Sequence, residues 1–177
     1  LMILEDWEHA SARGAPPLAE FLDYGSSCVA SHMKAPHPEG RGAAAAMREA
    51  IDRSGLSPND IGHINAHGTG APLNDAAEAV AIASVFGRDR AARLPTTSTK
   101  SVVGHLLGGC GGIEAVALVL SLMRQIVPPT LGFYTPDQGP GLDVVAPHAR
   151  KVSFEHGLSN SFGFGGTNCS LVFRRCG

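Results

Sequence analysis

The chain has 177 residues, a formal net charge of −2, 44% hydrophobic residues and only 17% charged ones. That balance excludes an intrinsically disordered segment and leaves no electrostatic footprint for nucleic acid or an anionic membrane surface. Glycine, at 22 residues, stands well above the usual share of about 7%, and in a folded chain such an excess marks tight turns or close backbone approach.

In chain order, Leu1–Leu4 reads as a strand end and Trp7–Ala12 as a short helical link. The opening apolar run without an initiating Met reads as a beginning in mid-fold. Leu18–Tyr24 is a strand, and the polar, Pro- and Ser-containing stretch 25–41 is a loop. Ala43, Ala44, Met47, Ala50 and Ile51 recur at helical spacing, and Gly55 ends that helix. Gly62–Ala66 forms a strand that ends at His67. A helix starting at Asn74 or Asp75 runs to Phe86, with Asp75 and Glu78 spaced like a capping box. Leu94–Ser98 is a further strand, and Gly111–Gln125 is a helix apolar on nearly every face, hence buried beneath a sheet. A Pro- and Gly-rich excursion spans 127–151. The strands Leu158–Asn160 and Cys169–Arg174 then flank Gly163–Gly166. Strands alternating with helices predict an α/β fold with its site at the carboxyl ends of strands.

The four cysteines, Cys28, Cys110, Cys169 and Cys176, form no CxxC pair. They read as reduced thiols of a cytoplasmic protein. The start carries no basic segment of a signal peptide, and the nine-residue apolar run Ala115–Met123 is too short to span a bilayer.

Two histidines stand where strands pass into glycine-flanked loops: His67 in Asn65-Ala66-His67-Gly68-Thr69-Gly70 and His105 in Val103-Gly104-His105-Leu106-Leu107-Gly108. A pair of converging neutral imidazoles suits a thioester carbonyl on its way to an enolate. A hydrogen-bonded structural histidine is the competing reading for each. No HExxH occurs, and His63 and His67 are spaced across a strand and a turn, so a zinc site is not expected. Glu114 falls in the most apolar helix and needs a cation or a proton, and Lys100, just before His105, is the basic residue read as its partner. That pair reads equally as a structural ion pair and as part of a site. In Asn160-Ser161-Phe162-Gly163-Phe164-Gly165-Gly166-Thr167-Asn168, flanking glycines leave the Phe164 N–H able to face a ligand oxygen while its ring lines a pocket. The segment lacks GxGxxG spacing and is followed by a strand, and no GxxxxGK[ST] is present, so nucleotide binding is not expected.

Taken together and in this order, the segments resemble the condensing enzymes of fatty-acid synthesis, closest to the beta-ketoacyl-acyl-carrier-protein synthase II group of the thiolase-like superfamily. The resemblance runs from Leu4-Glu5, Glu8-His9-Ala10 and Arg13-Gly14-Ala15 through Pro38-Glu39-Gly40, 65–75 and 98–108. It continues through Ile126-Val127-Pro128-Pro129-Thr130-Leu131 to 158–168 and Ser170-Leu171-Val172-Phe173. It implies the C-terminal half of a duplicated thiolase-like layered fold, a mixed sheet with buried helices. Residues 1–24 would hold the last strand of an absent N-terminal half and a linker, and 25–177 the C-terminal synthase domain.

The resemblance further implies that His67 and His105 bind the malonyl thioester carbonyl and promote decarboxylation. Lys100 would be the family's motif lysine with Glu114 as its buried partner. The Phe164 N–H would supply half an oxyanion hole while its ring gates the acyl pocket, and Thr69 would hydrogen-bond the pantetheine arm of acyl carrier protein. Ala71 stands where the family has a second threonine, and Gly70 where it usually has Ser. No metal and no cofactor are implied; the substrate rides on phosphopantetheine, and the family is homodimeric. No cysteine here matches the family's nucleophile at a strand-to-helix elbow. The first expectation is therefore a transferase portion, inactive alone, completed by an N-terminal half that carries the cysteine. The alternative is a non-catalytic module that binds carrier protein or a synthase.

Overall fold

The computed structural model describes residues 2–134 and 141–176. The excursion expected over 127–151 lies partly outside the described residues, as does Leu1.

Asp6 caps the first helix, α1 (Trp7–Ala12), by accepting from the N–H groups of Glu8 and His9. The strand end expected over Leu1–Leu4 is not formed by residues 2–4, which lie in no strand. β1 (Ala19–Cys28) follows and is longer than expected, because its pairing with the last strand carries it four residues past Tyr24. The boundary expected at 24/25 thus falls inside a strand that belongs to the C-terminal sheet.

α2 (Arg41–Arg53) buries Ala43, Ala44, Met47, Ala50 and Ile51, the positions its periodicity marked. β2 (Ile61–Asn65), α3 (Pro72–Phe86), α4 (Arg88–Ala91), β3 (Thr96–Thr97) and α5 (Lys100–Val103) come next. α6 (Cys110–Arg124), the short strands β4 (Ile126–Val127) and β5 (Arg150–Lys151), then β6 (His156–Phe162) and β7 (Thr167–Arg175) complete the chain.

The expected capping box of α3 is absent. The helix begins three residues earlier than Asp75, on Pro72 with Ala71 as N-cap, because proline supplies the first helical φ and needs no N–H partner there. Glu78 is thereby placed well inside the helix, buried at 3% exposure.

The main sheet has the order β1-β7-β6-β2-β3. β1, β7 and β6 pair antiparallel, whereas β6, β2 and β3 are parallel. Alternate residues of a strand face opposite sides. Val172 of β7 accordingly joins the core formed with α2 and α3, while its neighbour Phe173 joins a second core with Ala115, Leu118 and Leu122 of α6. The parallel register, Asn65 opposite both Ser159 and Thr97, brings the carboxyl ends of β6, β2 and β3 to one edge.

α6 departs from the all-round burial expected of it. Cys110, Glu114, Ala115, Leu118, Ser121 and Leu122 face the sheet, but Leu120 and Met123 are each 41% exposed. Among the described residues α6 packs against the strands of the sheet and β4, and Leu120 and Met123 are left on its uncovered face. The helical stretch Leu107–Arg124 reaches 18 residues and is apolar enough, by length and composition, to cross a membrane, longer than the run read from sequence. Its inward face is nevertheless packed on the sheet, with Glu114 fully buried.

Candidate active site

Three strand ends supply the site. His67 follows β2, Lys100 opens α5 just beyond β3, and Phe164 lies in the loop after β6. His67, His105, Thr69 and Phe164 line one cavity of about 990 Å³. Lys100 and Glu114 sit behind it, within the fold.

His67 is buried, and its backbone is held by a residue that sequence reasoning assigned to a helix cap. Glu78 accepts the N–H of His67 on Oε1 and that of Gly68 on Oε2, both at 2.9 Å. Asn160 of β6 donates to the same Oε1 at 3.1 Å and accepts from Ser170 of β7 at 2.7 Å. One carboxylate thus ties α3 and β6 to the loop that carries His67. Burial pushes the Glu78 carboxyl up, against the opposing pull of the two amides.

The ring of His67 is oriented by β6. The Phe162 N–H donates to its Nδ1 at 3.2 Å, so Nδ1 carries the lone pair and Nε2 the hydrogen. His105 repeats the device on another element, with the Leu107 N–H donating to its Nδ1 at 3.0 Å. Leu107 reaches this position at φ +52°, a left-handed conformation that costs a non-glycine residue on the order of 1 kcal/mol or more. The two rings stand edge to face, centroids 5.6 Å apart. Each imidazole therefore has its Nδ1 occupied by a backbone donor and keeps Nε2–H free to donate. Burial, aided by the positive charge of Lys100 and by His105, pushes the His67 imidazole down to about 3, so it is neutral at physiological pH.

The expected Lys100–Glu114 pair is formed. The Lys100 ammonium donates to Glu114 Oε1, and the Ser161 hydroxyl donates to Oε2 at 3.2 Å. The side chains are 4% and 0% exposed. Burial pushes the Glu114 carboxyl up and the Lys100 hydrogen bond draws it back.

Thr69 lines the cavity, and its Oγ1 accepts the Ala71 N–H at 3.3 Å, which leaves the hydroxyl hydrogen available to a ligand. Phe164 is 78% exposed on the cavity wall. Its loop is pinned to the segment after β1, where Gly165 donates to the Met33 carbonyl and Val29 to that of Gly166, both at 2.9 Å. Of the cysteines, Cys110 and Cys169 also line the cavity, and Cys28 is exposed. No group of three or more His, Cys, Asp or Glu side chains suited to a metal ion occurs among the described residues.

His67 and His105 at the carboxyl edge of this mixed sheet, backed by a buried Lys–Glu pair, define a ketosynthase domain of thiolase-like fold. The beta-ketoacyl synthase C-terminal domain profile matches residues 18–134, and the chain belongs to that family. It is 47% identical over 176 residues to the 3-oxoacyl-[acyl-carrier-protein] synthase 2 of Vibrio cholerae, spanning 99% of this chain and 42% of that protein. A beta-ketoacyl synthase from Burkholderia phymatum has the same fold, with a TM-score of 0.91 at 40% identity over 98% of this chain and 41% of its own. An acyl-carrier protein complex of a type II PKS ketosynthase bound to the hexaketide aligns with a TM-score of 0.93 at 34% identity, covering 98% of this chain and 42% of the ketosynthase chain. The chain thus spans well under half the length of the relatives it matches.

Proposed function

We propose that this chain is the C-terminal part of an acyltransferase of fatty-acid elongation. It performs the decarboxylative condensation of a malonyl thioester, carried on the phosphopantetheine arm of acyl carrier protein, with an acyl thioester. The observation that carries this reading is the matched orientation of His67 and His105, each with Nδ1 filled by a backbone N–H and Nε2–H free.

Two such donors hold a malonyl thioester oxygen. When the bond to the terminal carboxylate breaks and carbon dioxide leaves, its electron pair moves onto the α-carbon and that oxygen. The resulting enolate oxygen is stabilised by fixed hydrogen bonds in a site that requires no reorganisation. Burial, with the positive charge of Lys100 behind it, keeps His67 unprotonated, and thus a donor from Nε2 alone. The α-carbon then attacks the acyl thioester carbonyl, whose developing oxyanion the Phe164 N–H receives, and a cysteine thiolate departs. Thr69 donates to the pantetheine amide.

No cysteine of this chain lies at a strand-to-helix elbow of the sheet edge that holds the histidines. The nucleophile therefore comes from outside these 177 residues, and the chain alone is inactive. The same remainder covers Leu120 and Met123 of α6 and the exposed Val102, Val103 and Leu106 beside the site. A cytoplasmic location and acyl carrier protein as partner go with this reading; the solved complex of a ketosynthase with its carrier protein supports the latter.

The test is carbon dioxide release from malonyl-acyl carrier protein by the chain joined to that remainder. Activity lost in both His67→Ala and His105→Ala is expected. Activity unaffected by His67→Ala overturns the assigned roles and favours the non-catalytic module.

A further inference from the structure

The reaction just proposed uses His105 but leaves unexplained the buried thiol beside it. Cys110 is the first residue of α6 and 3% exposed, with its Sγ 3.2 Å from Nδ1 of His105. The Leu106 N–H donates to the same sulfur at 3.1 Å. A cysteine with an imidazole at this distance invites the reading of a nucleophilic thiolate–imidazolium pair. The backbone contradicts it. An imidazolium carries a hydrogen on Nδ1, and that hydrogen would face the Leu107 N–H, which points at Nδ1 from 3.0 Å. Two donors cannot face each other across one hydrogen bond, so Nδ1 holds a lone pair and the hydrogen between sulfur and nitrogen belongs to sulfur. The Leu107 N–H and the Cys110 S–H approach that one lone pair together as a bifurcated pair.

We infer that Cys110 is a positioning residue for His105: as a neutral thiol it accepts from the Leu106 N–H and donates to Nδ1. Together with Leu107 it locks the ring in the Nε2–H form that the enolate oxygen needs. Its place in the fold suits it to that role. His105 is exposed, in the short segment between α5 and the turn Leu107–Gly109, and no carboxylate or carbonyl takes hold of its ring among the described contacts. His67, by contrast, is buried, and β6 sets its ring directly. The thiol anchors the exposed imidazole to the first turn of a helix whose inner face is part of the core. A larger side chain at 110 would displace the ring, and one without a donor would leave it held by the Leu107 N–H alone.

The inference rests on His105 acting as an oxyanion donor, but its test needs no turnover. The full-length protein carrying this chain is labelled with 15N-histidine. Long-range proton–nitrogen spectra are recorded at alkaline pH, and His105 is assigned by its loss in His105→Gln. In the unmodified protein His105 is expected as the Nε2–H tautomer. Cys110→Ala is expected to raise the Nδ1–H population about two- to twelvefold, the equilibrium equivalent of one hydrogen bond. His67, held by Phe162, should keep its own signals. Cys110→Ser, which retains a donor at the same place, is expected to restore the original tautomer. An imidazolium in the unmodified protein, an unchanged tautomer in Cys110→Ala, or no rescue by Cys110→Ser would each overturn the inference. Because the spectra contain no substrate, failure here leaves the decarboxylation assay as an independent test of the reaction.

Discussion

Glu78 accepts the backbone N–H of His67 at 2.9 Å from a helix that starts at Pro72, so a carboxylate eleven residues downstream fixes the main chain of the buried imidazole. Its second oxygen takes the Gly68 N–H at 2.9 Å, and Asn160 closes the network from β6. Removing an acceptor from buried donors costs about 1–3 kcal/mol for each donor left unpaired. Glu78→Ala is expected to lower stability by several kcal/mol on that basis and to abolish the proposed decarboxylation in the completed protein. Glu78→Gln, which keeps one acceptor oxygen, should fall between. Denaturant melts read beside carbon dioxide release check this, and a fully active, fully stable Glu78→Ala protein would refute the role.

The Lys100–Glu114 pair is removed from solvent on both sides. Truncating one partner strands the other charge, which costs about 3–5 kcal/mol for a buried pair, whereas replacing both with apolar residues is often neutral. Glu114→Leu alone should therefore be much less stable than Lys100→Met combined with Glu114→Leu. A double-mutant cycle in urea measures the coupling, and additivity of the two single changes would contradict it.

Acid sensitivity follows from two neutral imidazoles. Burial pushes His63 down to about 4 against the bond its Nδ1–H makes to the Pro95 carbonyl at 2.9 Å, and His67 is down to about 3. Between the ordinary histidine value near 6.5 and these folded values, the unfolded chain binds more protons than the native one, so stability rises with pH through that window and is lost as pH falls. His63 alone contributes on the order of a few kcal/mol above pH ~6.5 by this linkage. The raised Glu78 and Glu114 carboxyls act in the opposite sense above their ordinary range, because there the native state holds the extra proton. The discriminating measurement is thus a difference: the slope of stability against pH between about 4 and 6.5 should flatten in His63→Gln. An unchanged slope would show that His63 titrates normally.

Gly25 marks the closest approach of β1 to α2. An added Cβ there would overlap the Ala46 carbonyl and lie 2.5 Å from the Ala50 nitrogen, both of them backbone atoms that cannot swing away. Gly25→Ala is expected to cost about 1–3 kcal/mol or more through overpacking. Gly55→Ala serves as a control that meets nothing within 4 Å, although its φ of +69° carries a strain of its own. Thermal melts of the two variants compare overlap with backbone strain, and equal stability of Gly25→Ala and the unmodified protein would refute the close packing.

Local chemistry wrote several elements directly into the sequence. Asp6 with Trp7–Ala12 forms its helix because cap and helix are contiguous, and the alanine-rich periodicity of α2 buries the side it marks. The Lys100–Glu114 pairing was legible because an apolar helix cannot carry a lone carboxylate, whatever the fold. The glycine excess was traceable only in part to the loops around the site: Gly25, one of the 22, is a strand residue that lets a helix approach.

Tertiary structure alone decided the rest. Glu78 looked like a cap because its spacing from Asp75 suits one; its true partners include Asn160, 82 residues away, and no local pattern encodes that distance. The outer face of α6 looked buried because composition reports apolarity and not which layer covers it. The tautomers of His67 and His105 depend on the N–H groups of Phe162 and Leu107, whose directions are set by a β-strand and by a strained turn. Sequence by itself marked His67, His105, Thr69 and Phe164, which the fold brings to one cavity, and the family the chain belongs to. Hydrogen-bond direction, which turns two histidines into two matched donors, is a property of backbone geometry and exists only once the sheet has brought its parallel strand ends to one edge.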